Sequence, residues 1–123
     1  MILVLFEVTV KKEGMAEYLK LAASLNAMLA EAEGFIRSER FRSLASEGKL
    51  LSLSFWENEQ AVEKWRNVAQ HRISQRQGHE ALFESYTITV ASHIRSYTDG
   101  DREEAPEDSN AFFDSMRGKW QEL

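Results

Sequence analysis

The side chains best equipped for chemistry gather in one run, Phe55-Trp56-Glu57-Asn58-Glu59-Gln60-Ala61-Val62-Glu63-Lys64-Trp65-Arg66-Asn67-Val68-Ala69-Gln70-His71-Arg72. The indole of Trp65 could wall a flat aromatic ligand by stacking, and its N–H could donate to a phenolate or a carbonyl. The plainer alternative is that Trp65 packs on a sheet. His71 has a reference pKa near neutrality and could act as general base toward a phenol. It could also be an axial ligand to a heme iron, or simply stand half exposed on a helix beside Arg72. The two residues are six positions apart, which is about 240° around an unbroken helix. They share a face only if the helix breaks near Asn67-Val68.

Other groupings carry less. His71, Gln75 and His79 recur at spacings of four, but the two histidines are too far apart for a two-ligand clip and glutamine is a poor third ligand, so no metal site is expected. Arg72 and Arg76 could hold an anionic substituent, although a solvated helix face is the simpler reading. No glycine-rich loop is present to cradle a phosphate, so no nucleotide cofactor is indicated. Cysteine is absent, which excludes disulfides, thiolate ligands and a cysteine nucleophile.

The elements that must position these residues follow from hydrophobic periodicity. Ile2 to Val10 reads as a strand, with Ile2, Val4, Phe6, Val8 and Val10 on one face and Leu3, Leu5, Glu7 and Thr9 on the other. Met15 to about Glu33 reads as a helix, with Gly34 as its stop. Phe35 to Arg42 and Leu50 to Trp56 read as strands around a polar loop. Asn58 is a helix N-cap candidate for Glu59 to about Arg66, a second helical piece runs from Val68 to about Gln77, and Gly78 ends or bends it. Tyr86 to Tyr97 reads as the last strand, with Tyr86 on the helix-facing side and His93 and Arg95 on the other. The order β-α-β-β-α-β is the ferredoxin-like arrangement, an α+β fold with an antiparallel four-stranded sheet. Leu3, Leu5, Leu50, Trp56, Ala91 and Tyr97 are assigned to the sheet face away from the helices. An apolar patch of that size calls for cover, and an isologous homodimer supplies it.

At 123 residues and 43% hydrophobic the chain has room for one packed core. The net charge is −5, and the run Asp99 to Asp108 holds six acidic residues against Arg102, so the rest is near neutral. No basic stripe suits nucleic acid. The longest apolar run, Ile2 to Phe6, is too short to cross a bilayer, and no signal-peptide pattern stands at the start, so a cytoplasmic protein without membrane contact is expected. Residues 1–98 are read as the folded domain. Residues 99–123 are read as an acidic linker, polar or disordered from Thr98 to Asn110, followed by a short amphipathic segment with Phe112, Phe113, Met116 and Trp120 near one stripe.

The step Phe55-Trp56-Glu57 at a strand end, Trp65 on the helix that follows and His71 beyond it resemble the signature region of the antibiotic-biosynthesis-monooxygenase superfamily. Gly34-Phe35-Ile36, Gln75 to Gly78 and the strand from Phe83 to Tyr97 extend the resemblance over residues 1–98. It implies a dimeric α+β barrel with the helices outside, a pocket between helices and sheet, and oxidation of a planar phenol or quinol by O2 without metal or flavin. The superfamily also includes heme-degrading enzymes and members without known activity. On this resemblance Trp65 would orient a small aromatic substrate, His71 would take its proton, and Phe6, Phe55 and Tyr86 would shape an apolar pocket. No cofactor is expected, with heme as the alternative. The chain departs from the heme-degrading pattern at Phe6, where that branch has asparagine, and in the shorter spacing from Trp65 to His71. It departs from the phenol-oxidising pattern at Ala61, where that branch has an asparagine four residues before its tryptophan.

Overall fold

The computed structural model describes residues 1–74 and 82–121. Its first compact unit, Met1–Ser92, runs β1 (Ile2–Val10), α1 (Met15–Leu29), β2 (Phe35–Arg42), β3 (Lys49–Trp56), α2 (Glu59–Ser74) and β4 (Phe83–Ser92). The strands form one antiparallel sheet in the order β2-β3-β1-β4. The most β-branched strand, β1, thus takes an inner position, where both of its edges are hydrogen-bonded.

The core lies between the helices and one sheet face. Val8, Val10 and Leu50 pack there with Tyr18 of α1. Trp56 packs farther along with Leu29 of α1 and Ala61 of α2. Burying a large aromatic side chain completely contributes on the order of a few kcal/mol, and Trp56 is 0% exposed.

Several sequence expectations change. Strand register pairs Ile2 with Trp56 and Val8 with Leu50, so Trp56 and Leu50 lie beneath the helices and not on the outer face. That outer face carries Leu3, Leu5, Leu51, Leu53, Phe55 and Ala91. Alternation sorts residues into two sets, but it cannot say which set faces the core when both contain large apolar residues. Next, α2 is continuous from Glu59 to Ser74 and does not break at Asn67-Val68. The modest helix preference of those two residues costs only a few tenths of a kcal/mol. Finally, β4 ends at Ser92, opposite Ile2, because β1 offers no partner beyond that point. His93 and Arg95 therefore stand past the strand, as does Tyr97.

His93–Leu123 forms the second unit. Its helix α3 (Glu107–Gln121) begins inside the stretch that composition assigns to a linker. Glu107 and Asp108 in its first turn suit the helix dipole, and Asn110 N–H donates to the Pro106 carbonyl at 3.0 Å. Arg102 ties the preceding loop to this helix. Its guanidinium donates to Asn110 Oδ1 and Ser109 Oγ, each at 3.0 Å, and lies 4.4 Å from the Phe113 ring centroid and 5.0 Å from that of Tyr97. Phe113 and Met116 are half-buried, while Phe112 points outward at 68% exposure. Gln75, Arg76, Gly78 and His79 lie outside the described residues, as does the side chain of Trp120.

Candidate functional site

α2 is seated by two local features. Asn58 Oδ1 accepts a hydrogen bond from Ala61 N–H at 2.8 Å, capping the helix as its sequence position suggests. Gly34, at φ 78°, passes so close that a Cβ there would stand 2.5 Å from the Ala61 Cβ. Only glycine meets both demands, the left-handed conformation and the close approach. The seat fixes Trp65 one turn farther along, with its ring 6.2 Å from Trp56, which in turn meets Phe35 at 5.4 Å. The indole N–H of Trp56 donates to Ser54 Oγ at 2.8 Å. The outward side of Trp65 lines a groove of about 210 Å³ between α1 and α2, together with Met28, Ala32, Ala61 and Val68.

A second surface lies on the helix-facing side of β1 and β4. Phe6 and Tyr86 meet there with ring centroids 5.8 Å apart. Phe83 joins them from one end, 6.3 Å from Tyr86 and 5.9 Å from Tyr18. Tyr86, Ile88 and Val90 follow one another along β4 on this side, yet they are 61%, 53% and 49% exposed. They occupy the face that helices normally cover, and they form an open apolar floor beside an aromatic pair. Across the sheet, Arg40, Ser52, Phe6 and Ile88 stand in one row, so the floor grades from cationic and polar at β2 to apolar at β4. Burial pushes the Tyr18 hydroxyl above its ordinary pKa of 10.0, and the positive charge of Arg40 opposes that shift.

The residues singled out from sequence are thus divided. Phe6 and Tyr86 come together on the floor. Trp65 lines the helix–helix groove instead, and its other side packs on the core around Trp56. His71 sits in the last turn of α2, exposed and outside the groove lining. With the helix unbroken, it and Trp65 do not share a stripe. Its neighbour Arg72 reaches α1, where Nε and Nη2 lie 3.3 and 3.2 Å from Ser24 Oγ. Phe55 is on the opposite sheet face, beneath the Arg37 guanidinium at 3.8 Å from its ring centroid. Sequence reasoning did not single out Ile88 and Val90. Their alternation with Thr87 and Thr89 was visible, but nothing in the sequence shows that a helix leaves them uncovered.

For a heme, the described floor provides no imidazole, and Phe6 fills the first-strand position, so these residues do not fit that group. Among the described residues no cluster of three or more histidine, cysteine or acidic side chains could hold a metal ion. No described helix is long and apolar enough to cross a membrane. What the floor can do is bind a flat or alicyclic apolar body, with a positive charge farther along the same row for an anionic end.

The element order and the antiparallel sheet are those of a ferredoxin-like α+β domain, here with its helix side partly open over an apolar floor. The family profile for antibiotic biosynthesis monooxygenase matches residues 1–77, and the chain belongs to that family. A relative, the jasmonate monooxygenase ABM of Pyricularia oryzae, is 38% identical over 90 residues, covering 73% of this chain and 42% of that protein. The chain therefore spans less than half of that relative's length. Among solved structures, a putative antibiotic biosynthesis monooxygenase from Deinococcus radiodurans aligns with TM-score 0.68 at 14% identity, over 80% of this chain and 97% of the other. The cofactor-independent oxygenase SnoaB of Streptomyces nogalater aligns with TM-score 0.64 at 15% identity, over 77% and 94%. Likenesses at these identities speak to the fold.

Proposed function

We propose that the chain is a monooxygenase for a small cyclic, largely apolar substrate, which it binds over the floor of Phe6, Tyr86, Ile88 and Val90. The observation that carries the reading is the half-exposed stripe of Tyr86, Ile88 and Val90 on the helix-facing side, in a chain of this family. The favoured substrate is a planar phenol or quinol. Its anion is itself the electron donor to O2, so the protein need only bind the ring, exclude water and favour the deprotonated form. Phe6 and Tyr86 would hold the ring, and Arg40, in the row of Phe6, would favour a phenolate. No cofactor is required on this reading.

A second substrate class is favoured by the likeness to the jasmonate monooxygenase. Jasmonate is an alicyclic ketone with an aliphatic tail and a carboxylate. Unlike a phenolate it does not itself reduce the second oxygen atom of O2 to water, so on this reading a two-electron donor such as a reduced nicotinamide or flavin is a co-substrate and is added to the assay. Ile88 and Val90 suit the aliphatic part, and Arg40 suits the acid. Oxygen uptake and product mass, measured with a naphthol or hydroquinone panel and with jasmonate, separate the two classes. Ile88→Asp should abolish turnover of either. Full activity in that variant would overturn the floor as the substrate site.

Trp65 and His71 are tested in the same assay. Lost turnover with retained binding in His71→Ala would assign proton transfer to the imidazole, and unchanged turnover would assign it to solvent base. Trp65 lines the helix–helix groove and not the floor, so Trp65→Phe should leave turnover near wild type, and a large loss would extend the substrate site to the indole.

We further propose a homodimer formed through the outer sheet face, where Leu3, Leu5, Leu51, Leu53 and Phe55 need cover. Leu53→Asp should convert the dimer to a monomer in light scattering. A wild-type monomer at micromolar concentration would refute this.

A further inference from the structure

The groove between α1 and α2 lies outside the oxygenation proposed above, and it is built differently from the sheet floor. It is hollow for a structural reason. A Cβ built on Gly34 would stand 2.5 Å from the Ala61 Cβ, so the Gly34 backbone lies close against position 61 and a larger side chain there would meet it. Ala32 across the groove is equally small, and Trp65 packs against Trp56 with ring centroids 6.2 Å apart, which leaves the space beside it unfilled. The resulting cavity of about 210 Å³ is below the roughly 300–1,000 Å³ of ordinary small-molecule sites. It suits a single ring with a short chain better than a fused polycycle.

Its rim is charged unevenly. Glu31, Glu33 and Lys64 surround the mouth. Lys64 Nζ lies 3.1 Å from Glu33 Oε2, so those two charges compensate each other, while among the described residues no ion pair is formed by Glu31. An indole face also attracts cations through its ring quadrupole, most strongly when water is excluded. We propose that this groove binds a protonated primary amine carrying one aromatic ring. The ring lies against Trp65 among Met28, Ala32 and Val68, and the ammonium stands at Glu31. A carboxylic acid of the same size would bring like charge to the rim and is disfavoured.

The test uses two probes of similar size and opposite charge, phenethylamine and phenylacetate. The readout is the indole N–H resonance of Trp65 in heteronuclear NMR, assigned with Trp65→Phe. The amine should shift that resonance saturably, and phenylacetate should bind more weakly. Glu31→Gln should weaken the amine by about two- to fivefold, the scale of an exposed ion pair, without weakening phenylacetate. Lys64→Met frees Glu33 and should tighten the amine by a similar factor. Val68→Trp, at a rim position 44% exposed in the native chain, should fill the groove and abolish binding without unfolding the protein. Equal affinity for the two probes, a Glu31→Gln variant that binds the amine like wild type, or no response at Trp65 would each overturn the proposal. None of these measurements depends on oxygenation, so failure here would leave the proposed function standing.

Discussion

Replacing Gly34 with alanine should be the most damaging small change in the first unit. The added methyl carries two separable costs. At φ 78° an L-residue occupies the left-handed region, which costs roughly 1–2 kcal/mol. The new Cβ would also lie 2.5 Å from the Ala61 Cβ, where real carbons do not approach, so α2 must shift away from the turn. Overpacking of this kind costs about 1–3 kcal/mol. Together Gly34→Ala should lose about 2–5 kcal/mol, a large part of the stability of a small domain. Urea unfolding followed by tryptophan emission measures it, and because Trp65 rides on α2 its native emission should shift as well. The partner substitution Ala61→Gly removes the opposing methyl and by itself costs about 1 kcal/mol in a helix interior. Combined with Gly34→Ala it should relieve the clash, so the pair should be less destabilising than the two single changes added together. A Gly34→Ala loss below about 0.5 kcal/mol, or strict additivity in the double variant within that margin, would refute the reasoning.

Asn58→Ala should cost about 0.5–2 kcal/mol through the lost cap to Ala61 N–H, and Asn58→Ser should recover most of it in the same unfolding assay. For Tyr18 the sign follows from its raised pKa: both folded and unfolded forms are neutral below the ordinary value of 10.0, so its stabilisation is fully present there. Above that pH the unfolded phenol ionises first, and stability falls until the folded phenol also titrates. Wild type should thus lose more stability than Tyr18→Phe between pH 9 and 11, and parallel curves would contradict the assignment.

The β-α-β-β-α-β order was legible because each element has a strong period and β1 is too apolar to be a loop. The Asn58 cap and the Gly34 stop were also readable, since their chemistry is local. Orientation was less accessible. Leu19 fits a helical stripe as well as Leu21 does, yet Leu21 is 2% exposed and Leu19 41%. Which stripe turns inward depends on where the sheet lies, and spacing alone does not contain that. The same ambiguity misplaced Trp56 and Leu50. For the site, Phe6 and Tyr86 were found together because both carry aromatic rings on the helix side of neighbouring strands. Phe55 was grouped with them through an alternation of ambiguous sign, and Trp65 with His71 through a break that α2 does not make. The open floor along β4 arises from an absence of cover, which leaves no mark on the residues themselves.

Arg102 is the sole cation in the run from Asp99 to Asp108, but its guanidinium is spent on ring faces and on Asn110 and Ser109. Among the described residues no ion pair joins it to the surrounding carboxylates. The fastening and the charge are therefore decoupled. Rising ionic strength should shorten the reach of the negative field, to about 8 Å in physiological saline, while the clasp stays shut. The anchoring of Arg102 thus rests on rings and neutral acceptors, and salt that screens the surrounding carboxylates should leave it in place.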